Sequence, residues 1–433
     1  MKLNLRFLYL LPLLALLFTN RALNAAFFGK EADGAADRLL EYALAGGSLL
    51  AVAAYYRHLE GYVRAWFWVL MGCCGALALE SMAHWHSWAV YPHVFGKLTA
   101  LLPLFGLYAF YRRFPPPSFG QLVAVLLPAL LCSLVFIYPE ALSLSSFLTT
   151  ERGFSATSAY LLLPVALLCL NWYLTANDLL SGLLFLLCVA LVVFLQHRTV
   201  WVCTAVALAV DVPLVALRVP TARAWARRLA VLGGLGLALG LVSGLAVVLD
   251  NPDVTRKLAR SLADIQHPTT QGTGTFRLEQ YRAYRPLLGE RPLAGWRLEG
   301  FEVPIQFYSP DSGEPVWPDF TGHHFHGFYL DRVFYFGGLG LGLVLLVPVL
   351  VLGRRGLRRG ALGADAAALL AYAATFLVFG LSYDWPAYCY GLLGLVLALT
   401  SREPALALAP AARPARPRRA RAAVALTTYA PAS

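Results

Sequence analysis

The chain has 433 residues, of which 59% are hydrophobic and 14% are charged, and its formal net charge at pH 7 is +11. This low share of charged residues, with a mean hydropathy of +0.62, excludes an ordinary soluble protein and predicts a polytopic membrane protein. The seven cysteines all lie in apolar runs, so the sequence predicts neither a disulfide framework nor a cysteine metal site.

Apolar runs long enough to cross a bilayer recur along the chain, and we count twelve of them. The sequence therefore predicts an all-α membrane protein with about twelve transmembrane helices. The first run follows Met1 and Lys2, but no clear small-residue cleavage site follows it, so we interpret it as a retained helix rather than a signal peptide. The predicted spans lie near residues 5–19, 39–56, 63–82, 89–110, 119–138, 157–176, 179–196, 199–218, 229–249, 328–352, 363–382 and 386–400.

Clusters of arginine lie between these spans, and all of them fall on one side of the membrane if the chain has twelve spans. Cytoplasmic loops carry the excess of Lys and Arg, so this side and both termini are predicted to be cytoplasmic. The positive net charge then reflects topology, and no nucleic-acid partner is predicted. The clusters are Arg112 and Arg113; Arg218, Arg223, Arg227 and Arg228; Arg354, Arg355, Arg358 and Arg359; and the tail from Arg402 to Arg421.

The one long polar interval is Asn251–Gly327, which holds eight Lys or Arg, nine Asp or Glu and ten aromatic residues. This composition is that of a folded extramembrane cap and not of a low-complexity linker. The charge pattern predicts that it faces outward, into the periplasm of a Gram-negative cell or outside another cell. The predicted organisation is helices 1–9 in residues 1–250, a periplasmic loop domain in 251–327, helices 10–12 in 328–400 and a basic, disordered cytoplasmic tail in 401–433.

Within the cap, Thr275 is placed to begin a short helix, FRLEQYRAY, that Pro286 and Gly289 would end. Helical spacing puts Arg277, Tyr281 and Tyr284 on one face of it. The following segment, GERPLAGW, is predicted to be a turn, and 301–320 an irregular loop.

Two arginines are candidates for binding an anion. Arg198 ends the segment QHR after an apolar run, at the depth of a lipid headgroup. It either reaches to the interface without a partner or offers a planar charged fork to phosphate oxygens. Arg277 either forms a salt bridge on the helix surface, which is the simpler interpretation, or binds phosphate oxygens as Arg198 would.

The segment GHHFHGFYLD offers titratable bases, because a neutral imidazole takes up a proton near pH 7. The first alternative is a metal site at His324 and His326, although no nearby cysteine or Asp-x-Asp pattern supports it. The second is a purely structural role for His323, His324 and His326. Glu80 and Asp211 lie in apolar runs, where acidic residues are functional candidates. Asp331 and Arg332 are expected to form a local pair.

Three segments together resemble the O-antigen ligase and polymerase superfamily: QHRTVW, FRLEQYRAYRPLLGERPLAGW and HFHGFYLDRVFYFGGLGLGL. Members typically show an arginine before a small residue and an aromatic, an arginine leading into a P-x-x-G-x-G turn, and a histidine before an aromatic-Leu pair and a Gly-Leu-x-Gly helix. The resemblance covers roughly residues 180–345. The chain departs from the pattern at Arg297, where a second glycine is usual, and at Gly327, where an asparagine often follows the histidine.

The resemblance implies an integral-membrane glycosyltransferase of GT-C-like architecture in the bacterial inner membrane, acting without metal or cofactor. It implies a glycan donor linked to undecaprenyl diphosphate, a lipid A–core acceptor and inversion at the anomeric carbon. By position, Arg198 and Arg277 would bind the diphosphate and His326 would activate the acceptor hydroxyl. Further candidate site residues are His323, His324, Tyr281, Arg282, Arg285 and Asp211. We expect a monomer whose other partners are membrane lipids.

Two alternatives stay open. A polymerase of the same superfamily would attach the glycan to another lipid-linked repeat, although a polymerase often spreads its periplasmic residues over two sizeable loops. A transporter of lipid-linked glycans would line a conduit with the arginines and the intramembrane acids, but the charges gather at one face. A scaffold has no need for a polar cap rich in Arg, His and aromatic residues.

Overall fold

The computed structural model describes residues 5–29, 34–148, 153–250, 252–266, 273–303, 323, 325, 327–358 and 360–407. These ranges are all-α and contain no strand. The helices are α1 (Leu11–Leu17), α2 (Arg21–Phe28), α3 (Gly34–Tyr55), α4 (Gly61–Trp85), α5 (Pro92–Thr99), α6 (Leu102–Arg113), α7 (Phe119–Cys132), α8 (Leu144–Leu148), α9 (Ala156–Tyr160), α10 (Leu162–Ala176), α11 (Leu179–Phe194), α12 (Arg198–Arg218), α13 (Trp225–Asp250), α14 (Pro252–Gln266), α15 (Thr273–Glu290), α16 (Phe328–Leu357), α17 (Ala364–Phe379) and α18 (Ala387–Ala407).

The predicted spans coincide with helices, so the all-α membrane class is confirmed. Within the described ranges, seven stretches are long and apolar enough to cross a membrane: Leu39–His58, Gly61–Trp85, Pro92–Arg113, Phe119–Ile137, Ala156–Ala176, Arg198–Arg218 and Phe328–Leu357. Four apolar helices are shorter: Phe7–Leu17, Leu179–Phe194, Ala364–Phe379 and Ala387–Ser401. Twelve crossings and the GT-C-like architecture stay predictions.

Small residues allow the central helices to pack closely. At Gly394 of α18, a Cβ atom would lie 2.1 Å from the carbonyl oxygen of Leu104 in α6. At Gly106 of α6, it would lie 2.7 Å from the Cα atom of Ser48 in α3. Such close backbone approach is how helices associate in a membrane, where burial of apolar surface gives little driving force. α17 extends this bundle to α10 and α12.

The end of the bundle at which α12 and α16 begin and α17 ends is called the cap end below. The backbone N–H of Phe328, the first residue of α16, donates to the carbonyl oxygens of Gly380 at 3.0 Å and Tyr383 at 3.3 Å. The cap also contacts α4 at this end, because the indole N–H of Trp85 donates to Glu302 at 2.9 Å. The start of α16 and the segment around Glu302 therefore lie at this end of the helices.

The prediction that Pro286 and Gly289 end the cap helix was wrong. α15 begins at Thr273 and continues through Pro286 to Glu290. A proline removes one backbone hydrogen bond of a helix, which costs less near an end than in the middle. In addition, the indole N–H of Trp296 donates to the carbonyl oxygen of Leu287 at 2.9 Å, so a tertiary contact supports the last turn.

Candidate functional site

Arg198 is the first residue of α12, so it lies at the cap end beside the amide groups that open the helix. The preceding His197 is buried, and its Nε2 atom lies 2.8 Å from the carbonyl oxygen of Phe154. This contact holds the turn between α11 and α12 against the segment before α9. A helix start carries partial positive charge, so Arg198 stands where an anion is already favoured.

Arg277 extends from α15 toward the turn between α17 and α18. Its Cζ atom lies 5.4 Å from the centroid of the Tyr383 ring, and Tyr383 stacks on Phe379 with 5.1 Å between the ring centroids. A guanidinium on an aromatic face has a defined plane, which a flexible ammonium would lack. Tyr383 therefore orients Arg277, although sequence reasoning did not single it out.

The two candidate arginines are close enough to influence each other. Burial lowers the pKa of the Arg277 guanidinium, Tyr383 acts in the opposite direction, and the positive charge of Arg198 lowers the pKa further. An interaction between like charges weakens with separation and with screening by water and salt, so the two guanidiniums lie within range of each other's charge. The structure thus brings together Arg198 and Arg277, which lie on helices far apart in the sequence.

The start of α16 lies against the same tyrosine. Besides its backbone bonds to Gly380 and Tyr383, Phe328 stacks on Trp385 with 4.3 Å between ring centroids and 10° between the planes. The chain therefore enters α16 at a fixed place beside the residue that orients Arg277. His324 and His326 lie outside the described residues, and His326 comes two positions before Phe328 in the sequence.

His323 is buried, and both of its ring nitrogens make hydrogen bonds within the protein. Its Nε2 atom lies 2.6 Å from the carbonyl oxygen of Val303, and its Nδ1 atom lies 2.5 Å from the hydroxyl of Tyr284. A carbonyl oxygen only accepts, so Nε2 carries the proton and Nδ1 accepts from Tyr284. This arrangement favours a structural role for His323, which joins α15 to the segment after it.

The remaining candidates on α15 are Tyr281, Arg282 and Arg285, and none of them lies on its buried face. Gln280 and Tyr284 are buried on α15, whereas Tyr281 is 48% exposed. Arg282 and Arg285 are also exposed. The buried face of α15 thus runs through Gln280 and Tyr284, one position away from the face that included Tyr281.

Asp211 and Glu80 have partners of their own. Asp211 is buried in α12 and accepts a hydrogen bond of 3.0 Å from the side-chain nitrogen of Asn171. It lies thirteen residues along α12 from Arg198, which corresponds to about 20 Å of helix, so it is not part of the arginine site. Glu80 lies in α4, and its Oε2 atom is 2.7 Å from the Nε atom of Arg297.

The pair of Asp331 and Arg332 belongs to a larger cluster of charges at the cap end. The two side chains contact each other, as the sequence predicts, and both are buried. Lys97 of α5 approaches Asp331 to 2.5 Å, and the Nη2 atom of Arg332 lies 3.3 Å from Asp384 and 2.9 Å from the hydroxyl of Tyr390. Opposite charges with hydrogen bonds offset the cost of burying each ion.

The predicted turn and the glycine-rich helix contact each other directly. Gly337 interrupts α16 with a φ of +62°, and the backbone N–H groups that follow it bond to the turn. Gly338 donates to the carbonyl oxygen of Pro292 at 2.8 Å, and Leu339 donates to that of Leu293 at 3.0 Å. The turn thus accepts from amides that an unbroken helix would bond internally.

The backbone of Arg297, which follows the turn, is unusual. Arg297 has a φ of +49°, in the left-handed region that favours glycine, at the position where a second glycine is usual. Its side chain pairs with Glu80, so a contact to α4 accompanies the strained backbone. This pair joins the cap to the bundle.

The described residues contain no group of three or more His, Cys, Asp or Glu side chains that could hold a metal ion. His324 and His326, on which the alternative of a metal site rests, are outside these ranges. No protein-family model matches the chain, and no curated protein matches it significantly. The arrangement itself offers two guanidiniums beside a helix start, which suits a ligand with several negative charges.

Proposed function

We propose that this protein is a membrane glycosyltransferase that transfers a glycan from undecaprenyl diphosphate to lipid A–core at the periplasmic face of the bacterial inner membrane. The observation that carries the proposal is that Arg198, at the start of α12, and Arg277, held over the ring of Tyr383, both lie at the cap end, where the charge of Arg198 lowers the pKa of Arg277. Two like charges held together are stabilised by an anion between them. A diphosphate supplies such an anion, and the resemblance independently assigns both arginines to it.

The chemistry follows from the charges. The acceptor hydroxyl attacks the anomeric carbon, the bond from that carbon to the diphosphate oxygen breaks, and the electron pair leaves with undecaprenyl diphosphate. The acceptor proton passes to a base, for which His326 is the candidate by its motif. Arg198 and Arg277 stabilise the negative charge that develops on the leaving diphosphate, a role that fixed guanidiniums fill with little reorganisation.

The position of Tyr383 supports the same proposal. It orients Arg277 through its ring, while its carbonyl oxygen accepts a hydrogen bond of 3.3 Å from the backbone of Phe328. One residue therefore links the arginine site to the start of α16, two positions after the candidate base. A donor group and an acceptor group must be held at neighbouring positions for transfer, and the contact between Phe328 and Tyr383 is in keeping with that requirement.

A deletion strain tests the proposal through its lipopolysaccharide. A strain lacking a ligase accumulates lipid A–core without attached glycan, and the wild-type gene restores the attached chains. Core carrying one repeat unit would instead identify a polymerase, and an unaltered lipopolysaccharide profile would reject both. The complementing gene with Arg227→Lys is a control, because Arg227 is exposed on α13 in a predicted cytoplasmic cluster and should restore transfer fully.

Transfer by the purified protein tests the metal-independent mechanism. Because the arginines are proposed to neutralise the diphosphate, we expect transfer from a lipid diphosphate-linked glycan to continue in excess EDTA. Loss of transfer with EDTA, and its recovery with Mg²⁺ or Mn²⁺, would contradict the mechanism and favour a cation bound near His324 and His326.

A further inference from the structure

Gln196 lies in the turn between α11 and α12, and its backbone is unusual. Its φ is +53°, in the left-handed region that residues with a side chain rarely adopt. Its N–H donates to the carbonyl oxygen of Val193 at 3.2 Å, which closes the end of α11. Strained backbone of this kind persists only where the surrounding structure holds it in place, and it clusters at functional sites.

The side chain of Gln196 has a second unusual property. It is only 2% exposed, and among the described residues neither Oε1 nor Nε2 has a hydrogen-bond partner. Buried polar atoms are almost always paired, and an unpaired one destabilises the fold by its full desolvation cost. Gln196 therefore contributes little to the stability of the fold, because its backbone is strained and neither its amide oxygen nor its amide nitrogen is hydrogen-bonded to a described residue.

Gln196 lies next to the candidate arginine site. It stands two residues before Arg198, which opens α12 at the cap end. The neighbouring His197 is bound to the carbonyl oxygen of Phe154, so the turn that carries Gln196 is anchored. Of the polar side chains in this turn, Gln196 is the one whose hydrogen-bonding groups lack a described partner.

We infer that Gln196 binds the sugar directly attached to the diphosphate of the donor. The inference rests on the proposed function, because it takes the two arginines as the diphosphate site. A primary amide both donates and accepts, whereas ionised phosphate oxygens only accept. A sugar hydroxyl or acetamido group does both and would satisfy Oε1 and Nε2 together. The first sugar is one bond away from the diphosphate, so it is the part of the donor nearest to Gln196.

Binding includes a change at the side chain, since both amide atoms are buried. Rotation about the three side-chain torsions of Gln196 moves the amide without moving the strained backbone. Because the amide leaves no hydrogen bond to a described residue when it rotates, this step costs less than it would for a paired glutamine.

The test compares two probes on the purified full-length protein: undecaprenyl diphosphate, and undecaprenyl diphosphate carrying one N-acetylhexosamine. In Gln196→Met, an apolar side chain of similar length replaces the amide. We expect its dissociation constant for the glycosylated probe to rise about fivefold to a hundredfold, the loss of two neutral hydrogen bonds, with no change for the bare diphosphate lipid. The melting temperature should stay the same or rise, because an orphaned amide is removed.

Gln121→Met is the matched control. Gln121 lies in the first turn of α7, and its Oε1 atom is also buried without a described partner. This variant removes a similar orphaned group far along the chain from the arginines. It should bind both probes like the wild type.

The outcomes separate the inference from the function on which it rests. If wild-type protein binds neither probe, the proposed function fails. If it binds both and Gln196→Met is equal to it, Gln196 has no ligand and the inference fails alone. Equal weakening for both probes would place the amide on the diphosphate and also reject the inference. Should the methionine variant not fold, Gln196→Gly removes the same amide and adopts the left-handed backbone without strain, so the same comparison applies.

Discussion

At the scale of single residues, the arginine pair is the feature most open to test. Lysine keeps the positive charge of Arg198 or Arg277 but loses the planar fork that grips two phosphate oxygens, and at Arg277 it also loses the stacking on Tyr383. Loss of a charge-assisted contact costs ~1.5–3 kcal/mol, so we expect each lysine variant to transfer roughly ten- to a hundredfold more slowly. The measurement is the transfer rate at saturating acceptor.

Arg227→Lys is the control for these variants, because Arg227 is exposed on α13 in a predicted cytoplasmic cluster. It should transfer at the wild-type rate. Wild-type turnover in Arg198→Lys and Arg277→Lys as well, with normal melting temperatures, would show that both arginines serve only the membrane interface and the helix surface.

The three histidines should separate into different roles. His326→Ala is expected to slow transfer by ~10²–10⁴-fold with donor affinity retained, because a general base is lost while both arginines remain. His323→Ala should instead lower the melting temperature, since it breaks the contacts to Tyr284 and Val303 and leaves their polar atoms buried. His324→Ala should affect transfer less than His326→Ala.

Transfer, donor affinity and melting temperature are measured for the three alanine variants in one detergent preparation. A dead His324→Ala beside an active His326→Ala would mean that the motif is displaced by two residues. A His323→Ala protein that is stable but inactive would give the buried histidine a direct role in transfer.

Sequence reasoning found Arg198 and Arg277 through motifs, and the structure places them together. It did not find Tyr383, because the pattern of apolar residues around it predicts only the end of one helix and the start of another. The contact to Arg277 depends on how α15 packs at the cap end, which local spacing does not report. Gln196 was missed for a related reason: a left-handed turn without glycine or asparagine has no signal in the sequence.

At the scale of helices and turns, the contact between the turn at 292–295 and the break in α16 is expected to tolerate no added atoms. A Cβ atom at Gly337 would lie 2.3 Å from the carbonyl group of Leu293, and the φ of +62° disfavours any side chain there. We expect Gly337→Ala to reduce the stability by at least ~1–3 kcal/mol through overpacking, with backbone strain in addition. The measurement is the melting temperature in detergent.

Gly342→Ala, in the same helix, is its control. A Cβ atom at Gly342 would have no atom within 4 Å, so this variant should be neutral or slightly stabilising. If Gly337→Ala and Gly342→Ala had the same melting temperature, the turn would not hold the break in α16.

The positions of the helices were largely predictable, whereas their details were not. Apolar runs report burial in lipid or in the core, so the predicted spans coincide with helices. The end of α15 was mispredicted, because a tertiary bond from Trp296 supports the turn after Pro286. The contact of Arg297 with Glu80 was also beyond the sequence, since nothing local pairs a residue of the cap with one in α4.

At the scale of the whole molecule, topology is the prediction to test. Arginine clusters predict that Asn251–Gly327 lies outside and that the turn between α16 and α17 is cytoplasmic. A cysteine at Ser312 should react with a membrane-impermeant thiol reagent in intact spheroplasts, and one at Ala361 only after lysis. The native cysteines lie in apolar segments, so the unmodified protein gives the background. The reverse labelling pattern would invert the orientation.

The charge cluster of α16 has a consequence for the order in which the protein is assembled during synthesis. Lys97 is already made when Asp331 and Arg332 emerge, but Asp384 and Tyr390 come later in the chain. Until then the three charges sum to +1, and a charge buried in protein without its counter-charge costs several kcal/mol. We therefore expect the start of α16 to pack in its final place in the bundle only after the turn before α18 has been synthesised.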